Sequence, residues 1–311
     1  MTATGPAGGP VVVLAGGTGG AKVARGMLDV AGADLVVIAN TGDDVEVHGA
    51  HVSPDPDLVT YWLADRIDER GWGLRGDTFH VMEGLAELGD DAVWFRLGDR
   101  DLAVGLRRGR RLREGATLTQ ALAELTAALG VPARVLPMSD EPVRTRVLAH
   151  GRWHDFQEFM IRAGGEGPVD GVEFAGIAAA RPPAAALEAI AAARAVVIGP
   201  SNPVISIRPI LETPGLAAAL QGATAPVVAV SPIVGGRVVK GPTEPFMAWA
   251  GLPLDTGGIA RAYAGLADGL VADEPAEGLP VHVTDTLMDG PEGRRRVAAE
   301  TLAFAERLAG R

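Results

Sequence analysis

The sequence predicts an α/β protein with a Rossmann-like, doubly wound, mostly parallel sheet and a smaller inserted α+β segment. Three observations lead there. Short apolar, β-branched runs without polar alternation recur along the chain, as in strands covered on both faces. Helical segments separate them, which makes βαβ units. Polar clusters follow successive runs, at the strand ends where an open α/β sheet binds its ligands.

Taken in order, Val11 to Ala15, Leu35 to Ala39, Ala92 to Phe95, Ala195 to Ile198 and Pro226 to Val230 fit buried strands. Helices are expected at Ala21 to Val30, Asp57 to Arg70, Asp77 to Leu88, Leu118 to Leu129 and Pro183 to Ala193. A last helix should run from Glu292 to Leu308, with Pro291 at its start. The middle differs. Strand-like pieces at Arg144 to His150 and Val172 to Phe174, with the Gly/Pro-rich stretch Gly164 to Gly171, suggest a separate small unit. The expected division is residues 1–131 with 177–311, and 132–176 inserted between them.

Composition narrows the function. The 311 residues hold 28 Lys+Arg against 39 Asp+Glu, a formal charge of −11, so no general basic face for nucleic acid is expected. The absence of cysteine removes disulfides, thiolate catalysis and Cys-ligated metals together. No apolar run approaches the ~20 residues of a membrane helix. The opening MTATGPAGGP lacks the charged and apolar regions of a signal peptide and reads as a frayed start, so a cytoplasmic location is expected.

The first strand ends in Gly16-Gly17-Thr18-Gly19-Gly20-Ala21-Lys22. Such a turn lets backbone N–H groups and a helix N-terminus approach a phosphate. It fails the dinucleotide fingerprint, because Lys22 stands where glycine is needed, and it lacks the Gly-Lys-Ser/Thr of a Walker loop. The second strand ends at Asn40 and runs into Asp43 and Asp44, with Asp55 and Asp57 close behind. Four carboxylates without cysteine suit a hard divalent cation, Mg²⁺ beside phosphates, although each aspartate alone also suits a helix cap or turn. Asp99 and Arg100 follow the expected strand Ala92 to Phe95, where Arg100 suits a phosphate, an acidic heterocycle or a surface ion pair. Arg144 and Arg146, two apart in a strand, would share a face and meet a diphosphate. Ser201 and Asn202 suit a purine or ribose, or a helix cap. The pairs His48/His51 and His150/His154 lack a third zinc ligand, and Trp72, Trp94 and Trp153 suit packing, with stacking on a planar ring as the alternative.

Read together, these motifs resemble the 2-phospho-L-lactate transferase (CofD/FbiA) family of coenzyme F420 biosynthesis. The resemblance rests on the glycine turn, Thr41-Gly42-Asp43-Asp44, Ser53-Pro54-Asp55-Pro56-Asp57, Gly71-Trp72-Gly73, Asp77-Thr78-Phe79 and Leu97-Gly98-Asp99-Arg100-Asp101. It continues through Leu136 to Glu141, Asp155-Phe156-Gln157-Glu158-Phe159, Gly199 to Ile207, Ser231-Pro232-Ile233 and Thr284 to Met288, in the same order. It implies a Mg²⁺-using, homodimeric transferase that joins a phospho-three-carbon acid to the ribityl 5′-hydroxyl of the deazaflavin FO. The donor would be a guanosine diphosphate-activated acid, lactyl or enolpyruvyl, made by a guanylyltransferase, and GMP would leave. By the same resemblance, Asp57 and Arg100 contact FO and join Asp43 in catalysis. On the residues' own chemistry, Asp43, Asp44, Asp55 and Asp57 would hold the metal, and the glycine turn, Lys22, Ser201 and Asn202 would then hold the nucleotide. Two departures stand out: Pro56-Asp57-Leu58 where the family has Leu-Asp-Thr, and Asp155 where a histidine is common.

Two other functions compete. A CofD-like regulatory protein that binds nucleotide-sugars would share the glycine turn and the aspartate pair, but is expected to lack the segments Leu97 to Asp101 and Asp155 to Phe159. An NAD-dependent oxidoreductase is disfavoured by the broken fingerprint and by Asn40.

Overall fold

The computed structural model describes residues 8–310. The expected frayed start therefore lies, through residue 7, outside the described residues. Seven strands form the central sheet: β1 (Val11–Ala15), β2 (Leu35–Ala39), β3 (Arg134–Pro137), β4 (Ala195–Ile198), β5 (Val227–Val230), β6 (Gly269–Ala272) and β7 (Val281–Val283). Their order is β7-β6-β5-β4-β1-β2-β3, with every neighbouring pair parallel. The order reverses between β1 and β4, where Val11 pairs with Leu35 on one side and Ala195 on the other. A crevice at the strands' C-terminal ends is the consequence of such a reversal.

The apolar runs lack alternation because both faces are covered. Val12 and Leu14 of β1 pack with Ile190, Leu216 and Leu220 on one face. Val11, Val13 and Ala15 pack with Met27, Val297 and Leu302 on the other. The helices Gly17–Ala31, Pro54–Leu63 and Gly290–Ala309 form much of this second layer.

A three-stranded antiparallel sheet orders Arg152–Asp155, Arg144–Ala149 and Val169–Ala175 side by side. It carries the short helix Phe156–Ile161, and its own small core joins Phe156 and Phe159 to Phe246 of the helix Thr243–Trp249. Residues 134–137, grouped by sequence with this unit, instead form the outer strand β3 of the main sheet, because Leu136 pairs with Ile38 and joins the main core.

Three element readings need correction. Ala92 to Phe95 is not a strand but a 3₁₀ turn, Asp91–Trp94, since the Asp90 carboxylate accepts from Ala92 N–H and caps it. The helix expected over Asp57 to Arg70 begins at Pro54 and ends at Leu63. Prolines 54 and 56 fit its first turn, where N–H groups lack helical partners anyway, and Asp65 leaves the helix at φ 53°. The helix expected from Asp77 starts at His80, because Asp77 turns back to cap another helix.

Candidate functional site

The crevice at the sheet's C-terminal edge opens into a cleft of about 690 Å³. Its floor is the glycine turn. Gly16 N–H donates to Ser201 Oγ at 3.2 Å, and that hydroxyl donates back to Gly16 O at 2.6 Å, which ties the end of β1 to the end of β4. Gly17 takes φ 59° and donates its N–H to Asp55 Oδ1 at 2.6 Å. A Cβ on Gly19 would sit 1.9 Å from Pro200 O, so the turn is closed to larger residues there. The helix that starts here has no acidic residue in its own first turn, and of its positive end only the first N–H, that of Gly17, is taken by the Asp55 carboxylate, which suits the remainder to an anion.

The fold divides the four-aspartate set. Asp43 and Asp55 line the cleft. Asp55 accepts from Gly17 N–H and from Asn40 Nδ2 at 2.9 Å, and burial pushes its carboxyl up to about 6. Burial, then the charge of Asp55, holds the Asp43 carboxyl well above the usual range, and Asp43 Oδ1 is buried without a hydrogen-bond partner. The other two are already engaged. Asp44 accepts from Ser53 Oγ at 2.7 Å and pairs with His51 Nε2 at 3.0 Å. Asp57 binds Arg108 through both oxygens. Among the described residues, no group of three or more His, Asp or Glu is arranged around a common metal position. A magnesium ion nevertheless suits Asp43 and Asp55, since it characteristically takes one or two carboxylates and completes its shell with water and substrate phosphates.

Other cleft residues offer unused polar atoms. Asn202 Oδ1 accepts from Val204 and Ile205 N–H, capping the turn that follows, while its Nδ2 is buried without a partner. Thr286 Oγ1, in the segment after β7, is likewise unpartnered. Lys22 reaches the cleft from the first helix.

A second cavity of about 420 Å³ adjoins the first and shares Pro54, Asp55, Leu58, Trp72, Gln157 and Ile161 with it. Its character is different. Tyr61, Trp72, Trp94 and Phe95 supply aromatic surface, and Asp57, Arg96 and Asp101 supply the charges. Tyr61 Oη donates to Asp101 Oδ1 at 2.7 Å. Burial, reinforced by Asp57, pushes the Asp101 carboxyl up to about 7.

The segment Leu97 to Asp101 builds this cavity in a way the sequence did not reveal. Asp99 accepts from Thr78 Oγ1 at 2.6 Å and from His80 and Val81 N–H, capping the helix His80–Glu87. Asp77 reciprocates by accepting from Arg100 N–H at 2.9 Å and Asp101 N–H at 3.1 Å, capping the helix Asp99–Arg113. Arg100 itself is exposed and lines neither cavity. The guanidinium on the wall belongs to Arg96, which lies 4.5 Å above the Phe79 ring.

Arg144 and Arg146 do share a face of the small sheet, but that face is not the cleft's. Arg144 donates to Val143 O, and Arg146 lies over the Trp153 ring and 3.7 Å from Glu173. Gly20 is buried against Ser201 Oγ and acts as a spacer. Arg108, Tyr61, Arg96 and Asp101 were missed from sequence. Asp101 was visible inside the quoted motif, whereas Arg108 sits in an arginine-rich helix that reads as a solvated face.

Both cavities are built from the segments whose order ran through the whole chain, and comparison with known proteins agrees. The family model described as 2-phospho-L-lactate transferase CofD matches residues 11–286. The chain belongs to that family. Among its relatives is the 2-phospho-L-lactate transferase of Methanosarcina mazei, 38% identical over 300 residues, which cover 93% of this chain and 98% of that protein. The phosphoenolpyruvate transferase of Streptomyces griseus is 37% identical over 314 residues, covering 96% of this chain and 99% of that protein. Among solved structures, a UPF0052 family member from Bacillus halodurans shares the fold at a TM-score of 0.57 and 19% identity, covering 86% of this chain and 81% of that one. CofD-family membership makes the chain a transferase of coenzyme F420 biosynthesis. Among the described residues no helix is long and apolar enough to cross a membrane.

Proposed function

We propose that this enzyme transfers a phospho-three-carbon acid, 2-phospholactyl or phosphoenolpyruvyl, from a guanosine diphosphate-activated donor to the ribityl 5′-hydroxyl of FO. The observation that carries the reading is the pairing of two adjoining cavities, one carrying phosphate-binding groups and the other aromatic. One has a glycine turn, a helix N-terminus and lysine, as a nucleoside diphosphate requires. The other is lined by four aromatic side chains, as a planar deazaflavin requires. They meet at Asp55 and Gln157, so a donor phosphorus and an acceptor hydroxyl would be brought together there.

In the reaction the 5′-oxygen forms a bond to the donor's acid-bearing phosphorus, the bridging P–O bond breaks, GMP leaves and the hydroxyl proton is released. Such chemistry depends on positioning and charge neutralisation more than on covalent help. Asp43 and Asp55 would hold Mg²⁺, which when bound neutralises phosphate charge and acidifies the attacking hydroxyl. Asn202 and Ser201 stand where the guanosine would lie, and Trp72, on the wall common to both cavities, would cover the acceptor ring. Because the donor is guanylylated, a guanylyltransferase must supply it. A homodimer in the cytoplasm completes the reading, with sedimentation equilibrium as the check on assembly.

The test is a mass-spectrometric assay of the purified protein with FO, Mg²⁺ and donors made in situ from GTP, a guanylyltransferase and either 2-phospholactate, phosphoenolpyruvate or 3-phosphoglycerate. A product equal to FO condensed with one phospho-acid is expected and names the donor. No product with any donor, despite guanine-nucleotide binding, would overturn the reading in favour of a nucleotide-binding regulator.

A further inference from the structure

The chain contains only two lysines, Lys22 and Lys240, while arginine supplies the rest of its 28 cationic residues. Both lysines line the larger cleft, and among the described residues no arginine does. They come from different parts of the chain. Lys22 lies in the second turn of the first helix, and Lys240 follows the hairpin Ile233–Val234/Arg237–Val238 that leaves the end of β5. Lys240 Nζ lies against Gly71, beside Trp72 of the wall common to both cavities.

Eleven of the chain's arginines have carboxylate partners among the described residues, but neither lysine does. Among the described residues, no carboxylate oxygen lies within 4.0 Å of either ammonium. Their mutual repulsion is felt: burial, then Arg294 and Lys240, hold the Lys22 ammonium below its ordinary value, with Asp289 the opposing charge. Unpaired cations facing one cleft are unfavourable until an anion enters between them. The residue type adds to the argument. An ammonium is a compact point charge with three rotatable donors, which suits the changing geometry of a phosphoryl group better than the fixed planar fork of arginine.

We propose that Lys240 is a second donor-binding residue, which with Lys22 forms a two-lysine clamp on the diphosphate of the bound nucleotide. Lys22 grips from the glycine turn, and Lys240 from the acceptor end of the cleft. The inference builds on the transferase reading but needs only that a nucleoside diphosphate occupy the cleft.

Lysine scarcity makes the test direct. Reductive methylation followed by peptide mass spectrometry reports on two side chains, with the N-terminal amine as reference. Saturating guanosine diphosphate should protect Lys22 and Lys240 together, whereas guanosine should protect neither. Lys240→Ala should weaken guanosine diphosphate binding about tenfold or more by calorimetry, with Lys240→Arg restoring only part of it. Circular dichroism on each variant confirms the fold. Undiminished labelling of Lys240 under saturating nucleotide, or an affinity for Lys240→Ala within about twofold of the parent, would overturn the clamp. Protection without any FO product would leave the clamp standing and sink the transferase reading, and product formation with Lys240 unprotected would do the reverse.

Discussion

Arg108 reaches from the helix Asp99–Arg113 and binds both carboxylate oxygens of Asp57, an ion pair buried at both ends beside the aromatic cavity that Asp57 lines. Arg108 also donates to His51 O at 3.0 Å, so one guanidinium joins the Pro54–Leu63 helix to the preceding antiparallel pair Val45–Val47 and Ala50–Val52. The pair explains why an aspartate that looks free for catalysis in sequence is neutralised in the fold. Arg108→Ala would leave the Asp57 carboxylate buried without its counter-charge, and should destabilise by about 3–5 kcal/mol. Asp57→Asn should also destabilise, since it strands Arg108. Urea denaturation decides both, and a loss below about 1 kcal/mol for Arg108→Ala would remove the strut.

Asp101 makes stability fall as pH rises. Its carboxyl sits at about 7 in the native protein and near 4 when unfolded, so the native chain binds more protons between those values. Stability from this group is therefore complete below about pH 4 and lost as pH rises through about 7. Asp101→Asn keeps an acceptor for Tyr61 and cannot ionise. The variant should gain on the parent steadily from pH 4 to pH 8, and parallel stability curves would contradict the assignment.

Magnesium should stabilise the protein without any substrate present. Ligand at a hundred times its dissociation constant adds about 2.7 kcal/mol. Asp43→Asn removes one of the two carboxylates proposed to hold the ion, together with its repulsion toward Asp55, so the variant should hold its fold in EDTA yet lose the magnesium-dependent rise in Tm. An equal rise in parent and variant would place the ion elsewhere.

The glycine turn should show two distinct tolerances. Gly17→Ala meets no neighbour within 4 Å, so its penalty is only that of φ 59°, about 1–2 kcal/mol. Gly19→Ala drives its Cβ into Pro200 O, a backbone atom that cannot swing aside, and should abolish soluble expression or cost several times more. Thermal melts of the two variants rank them, and similar Tm values would mean that the turn is more pliant than its contacts indicate.

Acceptor affinity should depend on Arg96 and not on Arg100. Arg96 lines the aromatic cavity, while Arg100 contributes only its backbone N–H to the Asp77 cap and points its exposed side chain elsewhere. Arg96→Ala should weaken FO binding about tenfold, with Arg100→Ala unchanged. The opposite ranking by calorimetry would restore the sequence-based assignment of Arg100.

The sequence by itself determined four of the seven sheet strands and the neighbourhood of the site. β1, β2 and β4 lie where their apolar runs begin and end, because a strand covered on both faces must be apolar throughout. The glycine turn, Asp43, Ser201 and Asn202 converge on one cleft because they follow the C-terminal ends of β1, β2 and β4 near the reversal of strand order, and Asp55 joins them from the first turn of the helix Pro54–Leu63. Where the run was four residues long, as at Ala92 to Phe95, periodicity had too little length to tell strand from helical turn, and the Asp90 cap decided it. What only the tertiary structure decided is the pairing of charge. Asp57 meets Arg108 across 51 residues, Asp99 is spent on capping, and Lys240 comes to line the same cleft as Lys22. Those assignments depend on which side chains the fold brings together, and burial sets the strength of the Asp57 and Arg108 charges through contacts that residue spacing along the chain does not encode.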